Sequence, residues 1–284
     1  MDESSASGFS RHLPPGSFRR GFAFRLIAVA FALCCLGIYM LYQRHLSNIA
    51  WAYRFDGWTA HSKAALFKHL TLGRQDGDRA LVRWETRVRP RILVDGAYDG
   101  IDEIRLHLGA LADNGVPLVF EEEAPGDLTI IVTDDLYGES DPAVRRELYG
   151  LAGTGEKDVR RLLSKVKADR AQCYFLASYY DPRGPLQVGL APWGMRGGVV
   201  VIRKSLTGFA RTYCLMRQLT QVMGLFENAP ADLPVVTSFD GQGRLAGMTP
   251  LDWSMLRLLY DRRLRAGMDA AELDALLPGI LSAP

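Results

Sequence analysis

Four polar residues stand close together at Arg217, Gln218, Gln221 and Glu227, on a stretch that also carries Leu215, Leu219, Val222 and Phe226. The apolar four recur at three- and four-residue steps, so they predict a helix over about 209–224 with one face in a core. Arg217 and Gln221, four apart, share a different face. Arginine offers a fixed positive fork for carboxylate or phosphate, and the two amides offer hydrogen bonds without a proton equilibrium. Only Glu227 could move a proton. Arginine cannot ligate a cation, so positions 217, 218, 221 and 227 do not compose a metal site, and no cofactor is indicated. The five histidines are His12, His45, His61, His69 and His107, so no imidazole follows residue 107. A hydrolase with unfamiliar chemistry would have to draw on Glu227 with the weaker candidates Asp240 and Tyr260. Taken alone, the stretch also reads as an ordinary amphipathic core helix.

The elements that position these residues follow from the surrounding pattern. Gly224 followed by Leu225 is a helix stop, because glycine enters the left-handed region without a Cβ penalty. Trp84–Val94 reads as a strand with Pro90 marking an edge or bulge. Asp99–Asn114 carries Ile101, Ile104, Leu108 and Leu111 at helical spacing. Leu118–Glu122, Leu128–Thr133, Cys173–Tyr180, Leu186–Ala191 and Val199–Arg203 read as strands. Asp141–Asp169 is charged and helical, with a break at Gly150–Gly155. Its Gly153-Thr-Gly-Glu-Lys157 lacks the ending of a phosphate loop and reads as a turn. Thr249 caps a helix whose core face includes Leu251, Met255, Leu258 and Leu259. Asp269–Leu277 is a short closing helix.

A chain of 284 residues, 48% hydrophobic and 23% charged, can bury a full core in one or two domains. Its formal net charge of +2 gives no basic face for nucleic acid. Residues 1–21 are rich in Ser, Pro and Gly and read as a disordered cytoplasmic tail. Residues 22–42 are apolar except for Arg25 and suffice for the roughly 20 residues of a membrane span. Arg11, Arg19, Arg20 and Arg25 precede that span while Arg44 and His45 follow it, which places the N-terminus in the cytoplasm. The expectation is a single-pass bacterial inner-membrane anchor with the remainder in the periplasm. Two other fates compete: cleavage after Ala50-Trp51-Ala52, and lipid attachment at Cys34. Neither has the small residues its signal needs in the right place. Residues 43–80 read as a juxtamembrane helical segment and 81–278 as the soluble domain. Cys173 and Cys214 are its only cysteines, a disulfide pair in an oxidising compartment or two buried thiols in a reducing one.

The string Arg217-Gln-Leu-Thr-Gln-Val-Met-Gly-Leu-x-Glu227 is similar to the zincin metalloprotease string His-Glu-x-x-His-x-x-Gly-Leu-x-His, with every chemical position changed. Wider blocks resemble a proteobacterial family of unknown function whose members are often labelled lipoproteins. These are Val82-Arg-Trp84, the two cysteines, Gln218–Leu225, and Leu251-Asp-x-x-x-Leu-Arg-Leu-Leu-Tyr-Asp261 with Gly267-Met268. They cover about residues 65–270. The last block is also similar to the final helix of matrixin-type zincins, with Val235–Phe239 where a methionine turn would fall. The resemblance implies an α+β, zincin-like fold: a twisted mixed sheet, a backing helix and a central helix under a cleft. It implies a scaffold of unknown activity, and the favoured reading is a non-enzymatic pseudoprotease whose cleft binds a protein, peptide or envelope polymer. An envelope scaffold using the aromatic-rich 43–72 segment is a further reading. In zincin geometry positions 217, 221 and 227 converge, so an Arg217–Glu227 pair is expected where the metal would lie.

Overall fold

The computed structural model describes residues 29–40, 60–72, 80–120, 126–151, 155–179, 193–227 and 248–282. The chain divides into two compact units, Met1–Trp51 and Ala52–Pro284. In the first, residues 29–40 form helix α1 with exposed side chains. At 1.5 Å per residue it is about 18 Å long, against about 30 Å of hydrocarbon core. Among the described residues no helix is long and apolar enough to cross a membrane. The rest of the expected 22–42 span lies outside the described residues.

The second unit runs α2 (Ala60–Thr71), β1 (Pro90–Val94), α3 (Ile101–Asp113), β2 (Leu128–Thr133), α4 (Pro142–Tyr149), α5 (Glu156–Ala168), β3 (Cys173–Tyr179), β4 (Met195–Arg203), α6 (Gly208–Val222), α7 (Pro250–Leu259) and α8 (Ala270–Leu281). The class is α+β. The strands form one mixed sheet in the order β1-β2-β4-β3, parallel except for β3, which runs antiparallel to β4 along one edge. Every residue of β2 is buried, as a central strand covered on both faces requires.

Register sorts the side chains into two cores. Ile92, Ile130, Val200 and Phe175 lie in one row across the sheet. They pack with Ile104 and Leu108 of α3, Leu215 and Leu219 of α6, and Leu251 and Met255 of α7. The next row, Leu93, Ile131, Val201 and Tyr174, faces the other way. It packs with Val144 and Leu148 of α4 and Val159 and Leu163 of α5. The helix expected over 99–114 therefore shares a face with α6, and α4 and α5 cover the opposite one.

Three sequence expectations change. Phe67 and Leu70 of α2 are fully buried in the same core as α6 and α7, and Leu72 bridges Leu81. The folded domain therefore starts well before residue 81. The strand expected over 84–94 is a ladder only from Pro90, because the Arg89 N–H is taken by the Asp127 carboxylate at 3.0 Å. Of the strand expected over 118–122, residues 118–120 hold a single bridge, Val88 to Leu118, and residues 121 and 122 lie outside the described residues. Proline 117 has no N–H to donate and the Leu118 N–H turns back to the Val116 carbonyl at 2.7 Å, so the ladder does not propagate. The strand expected at 186–191 lies outside the described residues.

Gly198 sets how closely α6 approaches the sheet. A Cβ there would stand 2.8 Å from Val222 Cγ2 and 3.1 Å from Leu128 Cδ1. Gly198→Ala is expected to destabilise the domain by about 1–3 kcal/mol through overpacking. Denaturant unfolding of the variant checks this, and an unchanged midpoint would refute it.

Candidate functional site

The site is built on α6 and the turn that follows it. At the start of the helix Thr207 is the N-cap but its side chain makes no capping hydrogen bond, and the anchor comes from α3 and the residues just before it. Arg211 Nε donates to Glu103 Oε2 at 2.8 Å and Nη1 to Asp99 Oδ1 at 2.7 Å, while Thr212 donates to Glu103 Oε1. The Arg211 guanidinium also lies 5.5 Å from the centre of the Tyr98 ring. His107 of α3 stands 4.0 Å from Glu103. Burial holds its pKa below the ordinary 6.5, against the opposing pull of Glu103. As pH falls through that value the unfolded chain takes up its proton first, so stability should decline below about pH 6.5. His107→Gln should flatten that part of the stability–pH curve, and an unaltered slope would exclude the assignment.

At its other end α6 is closed by side chains from distant parts of the chain. Gly224 sits at φ +121°, where a Cβ would meet the Val82 carbonyl oxygen at 2.6 Å. Only glycine suits that position. The last helical carbonyls have no intrahelical donors. Trp84 Nε1 donates to Val222 O at 3.1 Å, and the Tyr260 hydroxyl donates to Met223 O at 2.7 Å. Gln221 Nε2 donates to Phe226 O at 3.2 Å and closes the turn, and Phe226 then stacks on Phe175 of β3. Glu227 N–H reaches back to Leu70 O of α2 at 3.2 Å.

A disulfide joins Cys173, the first residue of β3, to Cys214 in the middle of α6, with their Cα atoms 6.1 Å apart. The Cys173–Cys214 pair is therefore bonded. Gln218 Nε2 lies 3.6 Å from Cys173 Sγ, so this buried amide is turned toward the edge strand.

The polar residues of the sequence motif thus divide. Gln218 and Gln221 are buried, at 6% and 5% exposure, whereas Arg217 and Glu227 are half-buried. Gln221 was expected beside Arg217 on a face away from the core. It lies in the core because α6 is covered on nearly all sides from Cys214 to Val222. Tyr260 is half-buried against the core: burial raises its pKa, the Arg83 guanidinium lies 5.4 Å from its ring centre, and its hydroxyl donates to Met223 O. Asp240 lies outside the described residues.

With this geometry in place, residues 62–279 match the family described as "Protein of unknown function (DUF2927)". The chain belongs to this DUF2927 family. No curated protein and no solved structure matches it. The DUF2927 match opens inside α2 and closes inside α8, so α2 is part of the family's domain as well as of its core.

Zinc, which the string at 217–227 brings to mind, does not fit the DUF2927 chain. Its corresponding positions hold a guanidinium, two amides and one carboxylate. Among the described residues no group of three His, Cys, Asp or Glu side chains is placed to hold a metal ion. Sequence reasoning missed Trp84, Gly198 and the Arg211–Glu103 anchor. Trp84 was visible as part of the Val82–Trp84 block, but its partner is a carbonyl 138 residues away.

Proposed function

We propose that this DUF2927 chain is a membrane-anchored, extracytoplasmic pseudoprotease on a zincin-like scaffold. It holds a protein, peptide or envelope polymer along α6 beside β3. The observation that carries the reading is the fate of the two amides, Gln218 turned to the disulfide and Gln221 closing the Gly224 turn. Two residues at the places of a base and a metal ligand have structural partners, and the mixed sheet with its antiparallel edge strand and the glycine turn support the scaffold reading. The disulfide favours an oxidising compartment. The apolar 22–42 segment and its flanking arginines supply the anchor, with the N-terminus cytoplasmic.

Arg217 is the half-buried cation of this surface and Glu227 its carboxylate counterpart. In this reading the two form a pair that links helix to turn. Full burial would make breaking one side cost about 3–5 kcal/mol. Half-burial lowers that, so Arg217→Met and Glu227→Gln are each expected to cost about 1–3 kcal/mol, with part regained in the double variant. Strictly additive losses would remove the pair from the account. The functional test is capture of a ligand from envelope fractions by the wild-type chain and its loss with Arg217→Glu. Stoichiometric zinc together with zinc-dependent hydrolysis of a peptide would overturn the reading.

A further inference from the structure

On the face of the sheet opposite α6, the helices α4 and α5 and the 137–139 turn enclose an open groove of about 750 Å³. That volume falls in the range of small-molecule and cofactor sites. Arg160, Ser164 and Lys167 follow at helical spacing and form one stripe of α5 along it, with Arg145 and Arg146 of α4 across. The carboxylates in the lining are Glu139 and Glu156, so four cations outnumber two anions. A concave surface with an excess of one sign concentrates oppositely charged ligands.

Part of the groove is already oriented. Arg145 donates through Nε to Gly138 O at 2.8 Å and through Nη2 to Glu139 O at 2.7 Å. Lys167 bonds Glu139 Oε1 at 2.7 Å and lies 5.5 Å from the centre of the Tyr137 ring. Tyr149 adds a second ring to the lining.

We infer that the α4–α5 groove binds an acidic carbohydrate, a short sugar chain carrying carboxylates. Lys167 is paired with Glu139 and Arg160 with Glu156, so Arg145 and Arg146 supply the excess charge for carboxylates, and the second oxygen of each glutamate accepts from sugar hydroxyls. The rings of Tyr137 and Tyr149 offer surfaces for the C–H faces of the sugars. An acidic peptide would meet the same cations but brings a single backbone N–H donor for each carboxylate, fewer than the hydroxyls an acidic sugar offers the glutamates. The groove and the α6 surface lie on opposite faces of the sheet, so this assignment stands or falls apart from the pseudoprotease reading.

The test is titration of the full-length chain, in neutral detergent, with a galacturonic acid tetrasaccharide. Galactose tetrasaccharide and hexaglutamate serve as comparisons. Saturable binding of the acidic sugar is expected, weakening as salt screens the groove. Combined Arg146→Ala and Lys167→Ala should lower affinity about tenfold, the equivalent of about 1.4 kcal/mol. Arg105→Ala, on the exposed surface of α3, should leave it unchanged. Circular dichroism checks the fold, and Arg146→Gln alone, with a loss of about threefold, replaces the double variant should that fail to fold. Absence of saturable binding, or binding indifferent to the groove substitutions, overturns the site. Hexaglutamate or the neutral sugar binding as tightly as the acidic one overturns the ligand class.

Discussion

Replacing Cys173 and Cys214 together by alanine is expected to lower the stability of the domain by about 4 kcal/mol in the chain-entropy account of disulfides. The bond closes a loop with a sequence separation of 41 and ties the edge strand to the middle of α6. Much of its effect lies in the unfolded chain, which loses freedom when the loop is closed. Some lies in the folded state, where Gln218 packs against Cys173 Sγ and would lose its neighbour. Chemical denaturation with and without reductant measures the difference. The wild-type midpoint should fall on reduction, and that of the double variant should not respond. If reductant leaves the wild type unchanged while thiol titration shows both cysteines free, the bond is not what fastens β3 to α6.

Trp84→Ala should cost still more, about 4–8 kcal/mol. Trp84 is 1% exposed, and truncating a buried tryptophan to alanine typically costs about 3–5 kcal/mol. Its indole also supplies the donor to Val222 O at 3.1 Å, so truncation leaves a buried helix-terminal carbonyl unmet, about 1–3 kcal/mol more where no water enters. Trp84→Phe separates the two contributions, since it keeps most of the apolar volume and loses only the donor. Its expected cost is about 1–3 kcal/mol. Unfolding curves for both variants, read with Tyr260→Phe, show whether the C-terminal end of α6 is held by side-chain donors. Losses below about 1 kcal/mol for Trp84→Ala would show that the core closes without the indole.

Local pattern was enough for much of the scaffold. The Leu128–Thr133 run has the length and β-branched content of a strand, and Ile104 with Leu108 and Leu111 and the Leu215–Val222 stripe each keep a helical period. Thr249 with Asp252 states a helix start because a capping box needs only residues three apart. Gly224 states a helix stop for the same local reason. The two cysteines were legible as a pair because no other cysteine follows residue 35, whereas the bond itself needed their positions in space.

What only the tertiary structure decided are the contacts between residues far apart in the chain. Periodicity put Gln221 beside Arg217 away from the core, yet packing on nearly every side of α6 buries it and leaves its amide to the Phe226 carbonyl. Trp84 and Tyr260 reach the end of α6 from 138 and 37 residues away. Pattern shows that each is apolar but not that each carries a donor some carbonyl requires. The membership of α2 in the core rests likewise on Phe67, Leu70 and the Leu72–Leu81 bridge. A period along the chain records which side of an element is apolar. Which partner covers that side, and which buried polar group must therefore be satisfied, is fixed only when the elements meet.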